Sequence, residues 1–386
     1  MNRIKGFIYD IITFFACIVS QKRNKTEKVL FIRVDEIGDY ILWRKFILEL
    51  LTAPVCHQKE VHFVGNSAWK SLFELEFDTS IFSKIHWLNK NLYKTSIAYR
   101  YQFSKCIYQE GYSAVINPTY SRAKRVDDSI VKAAKALDNY GFIRNNENYL
   151  DYEQAYDKNL YTHLLPIFER PVFEFNRNKE FTQWITKQPS QVNDVCFSAA
   201  VELPETKYKY ALPSKYLVVF PGSRSPKRIW SASYFAEVCN YIFNRYHLTV
   251  VLAGASSDIH YGEDFNKYYT HPTINLIGST TLAETVSVIK GANCLLSVDT
   301  GSIHMAATVN CLSLGIFNGS QYGRFSPYPQ NISNKIISAY PTSIANDIAN
   351  ATVVKDKYEH IVNIDYNQVT PAQIIAIIEK ENLFNI

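Results

Sequence analysis

Leu295-Leu296-Ser297-Val298-Asp299-Thr300-Gly301-Ser302-Ile303-His304-Met305-Ala306-Ala307 reads as a short apolar strand, a polar turn and the start of a helix. Leu295, Leu296 and Val298 are strand formers. Asp299 to Ser302 carries turn and N-cap chemistry. Met305-Ala306-Ala307 continues as a small-residue helix able to pack closely on a sheet. A parallel sheet holds its ligands at the carboxyl ends of its strands, often against a helix N-terminus. The N–H groups and dipole there suit a phosphate or diphosphate.

The same pattern recurs on both sides of this stretch. Downstream, Cys311 to Phe317 reads as the next strand. Upstream, Tyr216 to Phe220, Leu248 to Ala253 and Thr273 to Ile277 read as strands, with helices over Ser233–Tyr246, Asp258–Tyr269 and Thr281–Ile289 between them. In the first half, Val29 to Val34, Val61 to Val64, Lys84 to Leu88 and Tyr112 to Pro118 alternate with helical stretches over Tyr40–Leu51 and Tyr93–Glu110. Strands alternating with helices predict an α/β fold with parallel sheets. At 386 residues, two domains are expected. The expected division is an N-terminal helix and basic linker (1–26), a first Rossmann-like domain (27–200), a linker (201–214), a second such domain (215–368) and a closing helix (369–386). Within the first domain, 139–161 has no clear period and reads as an irregular insertion, and from 181 to 213 the chain turns polar and proline-bearing, as suits a linker.

Composition narrows the classes. A 47% hydrophobic fraction is globular, and a net charge of +5 lacks the dense basic stripe of a nucleic-acid binder. The seven cysteines are scattered, with no CxxC pair, which argues against zinc and a disulfide framework and fits a reducing compartment. No GxGxxG, P-loop, HExxH or strand-flanked Asp-x-Asp occurs, so a nicotinamide cofactor and a metal are not expected. Ile4, Phe7, Ile8, Ile11, Ile12, Phe15, Ile18 and Val19 recur at helical spacing between basic flanks. The run is shorter than a membrane span and is interrupted by Asp10. Two readings stand: a helix lying on the cytoplasmic membrane face, or one packed on the protein's own surface.

The chemistry-bearing residues gather at strand ends. Pro221-Gly222-Ser223-Arg224 is a glycine turn with Lys227 and Arg228 behind it, suited to a diphosphate or to a solvated basic loop. Gly254 with Asp258 forms another strand-end turn. Asp299, Thr300, Gly301 and His304 converge within one helical turn. Gly38-Asp39 follows the first strand, where Asp39 either caps a helix or accepts a proton as a base.

Together these segments resemble glycosyltransferase family 9, the bacterial heptosyltransferases. The resemblance rests on Val29-Leu30-Phe31-Ile32-Arg33 with Ile37-Gly38-Asp39, on Phe220-Pro221-Gly222-Ser223 with Lys227, Arg228 and Trp230, and on Asn275-Leu276-Ile277-Gly278 with Thr281 to Glu284. It is carried furthest by Asp299 to Ala307, then by Phe317-Asn318-Gly319 and Phe325-Ser326-Pro327-Tyr328. It implies a GT-B fold, two Rossmann-like domains facing across a cleft, with the last helix returning to the first domain. It also implies inverting, metal-independent transfer with no cofactor besides a nucleotide-sugar substrate. Asp39 would then be the general base. Ser223, Lys227 or Arg228, Asp258, Asp299, Thr300, Gly301 and His304 would bind the donor, with Asp258 near the ribose. The default donor is ADP-heptose and the acceptor a lipopolysaccharide or lipid-linked glycan. A UDP- or GDP-sugar donor, or a non-catalytic sugar-nucleotide-binding relative, is the alternative. The implied location is cytoplasmic, peripheral on the inner membrane face. Asp35-Glu36 departs from the small hydroxyl residues usual before Gly-Asp.

Overall fold

The computed structural model describes residues 2–18, 27–143, 148, 160–166 and 171–384. The chain forms two compact units, one of Met1–Glu169 and Phe175–Val192, the other of Arg170–Glu174 and Asn193–Ile386.

The first unit is built on a parallel sheet of β1 (Lys28–Arg33), β2 (Glu60–Asn66), β3 (Lys84–Leu88), β4 (Ala114–Asn117), β5 (Asp138–Phe142) and β6 (His163–Leu165). Their order is β3-β2-β1-β4-β5-β6. β1 is buried along nearly its whole length because it lies between β2 and β4 under helices on both faces. β5 runs through the stretch expected to be irregular; Asn139 and Gly141 pair it to Val115 and Asn117 of β4. The rest of that stretch, 144–147 and 149–159, lies outside the described residues. Helix Glu174–Thr186 occupies the start of the expected linker. Its Asn178, fully buried, donates to the Leu42 carbonyl and accepts from Arg33, which ties the helix to the loop after β1.

The second unit repeats the plan with β7 (Tyr216–Phe220), β8 (Thr249–Leu252), β9 (Thr273–Asn275), β10 (Cys294–Val298), β11 (Ser313–Ile316) and β12 (Ile336–Ala339). The order is β12-β11-β10-β7-β8-β9, the same winding as in the first sheet. Every residue of β7 and β10 is buried. The closing helix Pro371–Lys380 buries Ile374 and Ile378 in the core of the second unit. Trp230 fixes the approach to that helix, its fully buried indole N–H donating to the Val369 carbonyl at 2.7 Å.

Both sheets reverse their winding direction once, between β1 and β4 and between β7 and β10. Chains leaving the carboxyl ends of such a pair diverge to opposite faces and open a crevice between them. The loops after β1, β7 and β10 are those that the sequence marked.

Candidate functional site

In the second unit, the loop after β7 is held close by glycine. A Cβ on Gly222 would lie 2.8 Å from the Asp258 Cβ and 2.7 Å from the Tyr261 ring, so no side chain fits. A Cβ on Gly254 would meet an Asp258 carboxylate oxygen at 3.0 Å. Asp258 is therefore packed between the ends of β7 and β8. One of its oxygens accepts from the Ala255 N–H at 2.9 Å and the other from the Ser257 hydroxyl at 3.3 Å. Ser223 is buried and its hydroxyl accepts from the Ser225 N–H at 3.3 Å, closing the turn.

The loop after β10 faces Arg228. Arg228 Nη1 lies 3.2 Å from the Asp299 carboxylate and donates to the Asp299 carbonyl at 3.2 Å. Asp299 is only 8% exposed, and burial pushes its carboxyl above the usual range while the Arg228 guanidinium opposes that rise. Lys227 is exposed beside it. The two basic residues are thus distinguished by structure: Arg228 is seated at the β10 end and Lys227 points to solvent.

Thr300 is the N-cap of helix Gly301–Thr308 but makes no side-chain cap bond. Its hydroxyl is instead 2.7 Å from that of Ser302, which is 2.7 Å from that of Ser297. The hydroxyls bond to one another, so the first helical N–H groups are left to backbone, solvent or an anion. His304 sits inside this helix, 5% exposed, with Nδ1 2.5 Å from the Tyr328 hydroxyl. Burial, with Arg228 adding like charge, drives its pKa down to about 4. It is a neutral hydrogen-bonding group at neutral pH and not a cation for phosphate. Tyr328 in turn packs edge-on against Phe173 at 4.8 Å.

In the first unit, Arg33 organises the loop after β1. It is fully buried; Nε donates to Asp35 Oδ1 at 3.0 Å, Nη1 to the Pro118 carbonyl at 3.2 Å, and Nη2 to the Asp39 carbonyl at 3.0 Å. The Asp35 carbonyl accepts from Asn66 at 2.9 Å and from the Trp69 indole at 3.3 Å. Asp39 lies half-buried in the first turn of the short helix Ile37–Ile41. The two unusual acids before it each have a basic partner: Asp35 pairs with Arg33 at 2.9 Å and Glu36 with Lys90 at 2.8 Å. Burial raises the Asp35 carboxyl well above its ordinary value; Arg33 opposes this and the neighbouring Asp39 adds to it. Arg33 carries the loop geometry, and its signal in the sequence was a single charge closing an apolar strand.

His62, His86 and Glu110 have ligand-type atoms within 4.8 Å of one another. His62 stands in β2, His86 in β3 and Glu110 at the end of helix Ile97–Glu110. Glu110 is paired with Lys28 and Lys84, and the Tyr112 hydroxyl lies 2.9 Å from His62 and 3.2 Å from His86. Two ammonium groups on the carboxylate disfavour a bound cation. Burial drives the His86 pKa down to about 4 as well. Both His86 and His304 therefore resist protonation in the folded state while an unfolded histidine titrates near 6.5. Stability is full above pH 6.5 and is lost as pH falls towards 4, by roughly 3 kcal/mol for each histidine. The melting temperature should fall steeply across that window and less steeply in His86→Gln; a flat profile would contradict the assignment.

The profile of glycosyltransferase family 9 (heptosyltransferase) matches residues 129–351. Lipopolysaccharide heptosyltransferase 3 of Escherichia coli is 21% identical over 248 residues, covering 62% of this chain and 68% of that protein. Among solved structures, a glycosyl transferase family 9 protein from Veillonella parvula superposes with a TM-score of 0.66 at 15% identity, covering 93% of this chain and 98% of the other. The E. coli ADP-heptose lps heptosyltransferase II gives 0.63 at 16% identity, with 92% and 98% covered. The two six-stranded parallel sheets are those of a GT-B transferase.

Proposed function

The chain belongs to glycosyltransferase family 9, and from that premise we propose that it is a heptosyltransferase using ADP-heptose as donor and a lipopolysaccharide-type glycan as acceptor. The observation that carries this is the second unit's crescent of strand ends: the glycine-tight β7 turn, the Arg228–Asp299 pair and the helix opening at Gly301. Such a crescent suits a diphosphate.

In this reading Asp39 accepts the proton of an acceptor hydroxyl. The hydroxyl oxygen bonds to the anomeric carbon of the donor as the bond from that carbon to the diphosphate oxygen breaks. ADP departs with the electron pair and the configuration inverts. Arg228 and the N–H groups of Thr300 and Gly301 receive the growing charge on the diphosphate. Asp299 holds Arg228 in place, His304 with Tyr328 sets the helix, and Asp258 with Ser223 frames the nucleoside side. Charge stabilisation by Arg228 and backbone N–H groups does the work a metal would do, so transfer is proposed to be metal-independent. Among the described residues no helix is long and apolar enough to cross a membrane; a lipid-linked acceptor sets the enzyme at the inner membrane face.

Thermal-shift screening against ADP-heptose and UDP- and GDP-sugars tests the donor. ADP-heptose is expected to raise the melting temperature most, with ADP alone retaining part of the shift. A larger shift with UDP- or GDP-sugars would replace the donor assignment.

A further inference from the structure

The N-terminal helix Asn2–Ile18 is inverted relative to an ordinary surface helix. Its inward face is small or polar: Thr13, Ala16 and Cys17 are buried against helices Ile97–Glu110 and Ser129–Ala134. The seat is specific. The Tyr9 hydroxyl donates to the Lys94 carbonyl at 2.7 Å, Arg100 lies over the Tyr9 ring at 4.6 Å, and Cys17 reaches the Ala133 carbonyl at 3.8 Å. The outward face is apolar. Ile8, Ile11, Phe15 and Ile18 fall at i, i+3, i+7 and i+10, with Phe14 beside them. Ile8 is 39% exposed, and Phe14, Phe15 and Ile18 are 57%, 52% and 56% exposed. A soluble surface rarely leaves such a stripe uncovered.

Charge selects what covers it. Residues 1–25 carry five basic side chains (Arg3, Lys5, Lys22, Arg23, Lys25) and one acid, Asp10. Asp10 faces inward to Lys124 at 3.6 Å. The body adds exposed Lys94 beside Tyr9 and exposed Lys135 just past Ala133. By sequence the segment is basic, so a second copy would set one cationic segment against another, whereas an anionic phospholipid surface suits a basic segment with an apolar stripe.

The geometry points to the Ile8-Ile11-Phe14-Phe15-Ile18 face as a docking surface for an anionic bilayer, lying in the headgroup plane with its aromatic rings inserted. This deepens the membrane setting of the proposed function and rests on it for why a lipid surface is met at all.

Full-length protein mixed with vesicles of phosphatidylglycerol and phosphatidylcholine should co-sediment, more weakly at high salt and hardly at all with phosphatidylcholine alone. The exposed pair Phe14→Asp/Phe15→Asp should cut partitioning by roughly tenfold or more. That variant should keep the wild-type circular dichroism and thermal shift with ADP-heptose. Unchanged partitioning of the double variant overturns the proposal. So does wild type that ignores anionic vesicles but self-associates through these residues in sedimentation velocity. Lost vesicle binding in the wild type with an intact donor shift removes docking alone; intact binding without any donor shift removes the donor assignment alone.

Discussion

Asp39→Asn should lower sugar transfer by roughly 10²–10⁴-fold, the usual contribution of a general base, while donor affinity stays near wild type. The exchange keeps the shape of the side chain and removes its ability to accept a proton. The exchange leaves in place the bond that Arg33 donates to the Asp39 carbonyl at 3.0 Å, which does not depend on the charge of the side chain. Asp35 is the built-in control. It too is a carboxylate in this loop, but it is paired with Arg33 at 2.9 Å. Asp35→Asn should act by loosening the loop, lowering the melting temperature along with turnover, whereas Asp39→Asn should leave melting almost unchanged. Steady-state rates and calorimetric donor binding on the two variants separate a lost base from a lost support. Turnover by Asp39→Asn at the wild-type rate would end the assignment.

Arg228→Ala should weaken donor binding by about 10- to 100-fold, the value of one charge-assisted hydrogen bond. It should also destabilise the fold, since Asp299 is 8% exposed and would lose the guanidinium 3.2 Å away. The side chain of Arg228 is 31% exposed, so solvent will moderate the stability loss. Lys227→Ala should change donor affinity far less. Calorimetric titration of the donor into both variants decides the matter, and equal losses would mean that the cationic loop acts as a diffuse patch. Arg228→Lys keeps the charge but not the planar guanidinium, whose Nη1 meets both the Asp299 carboxylate and its carbonyl, and should recover only part of the affinity.

Much of the fold was legible because parallel strands buried on both faces must be continuously apolar. β1, β7, β8 and β10 are of that kind. β5 and β12 escaped notice because Asp138-Asn139-Tyr140-Gly141-Phe142 and Ile336-Ile337-Ser338-Ala339 mix polar and small residues near a sheet edge, where one flank is less covered. Two expected helices are broken by tertiary demands. Tyr40–Leu51 gives way to a tight turn at Arg44–Phe46, where buried Arg44 turns in to pair with Glu76. Tyr93–Glu110 breaks at Ser96, whose hydroxyl caps the second segment by accepting from Tyr99 N–H.

The strand-end motifs of the site were visible as residue types: a glycine turn, a carboxylate, a hydroxyl, an imidazole. What those groups do was not visible. That His304 is neutral follows from burial and from Arg228. That Arg228 and not Lys227 meets Asp299 follows from the turn at Pro226–Arg228. That Asp35 and Glu36 are offset by Arg33 and Lys90 depends on a residue 54 positions away in the second case. Sequence gives the members of such pairs, and only the fold joins them.

Heptosyl transfer can be followed by incubating the protein with ADP-heptose and a heptose-deficient lipopolysaccharide acceptor and recording ADP release and acceptor mass together. The wild type should release one ADP for each heptosyl group gained, without added metal, and Asp39→Asn almost none. ADP-heptose left intact beside an unmodified acceptor, with turnover appearing instead on a UDP- or GDP-sugar, would contradict the proposed transfer.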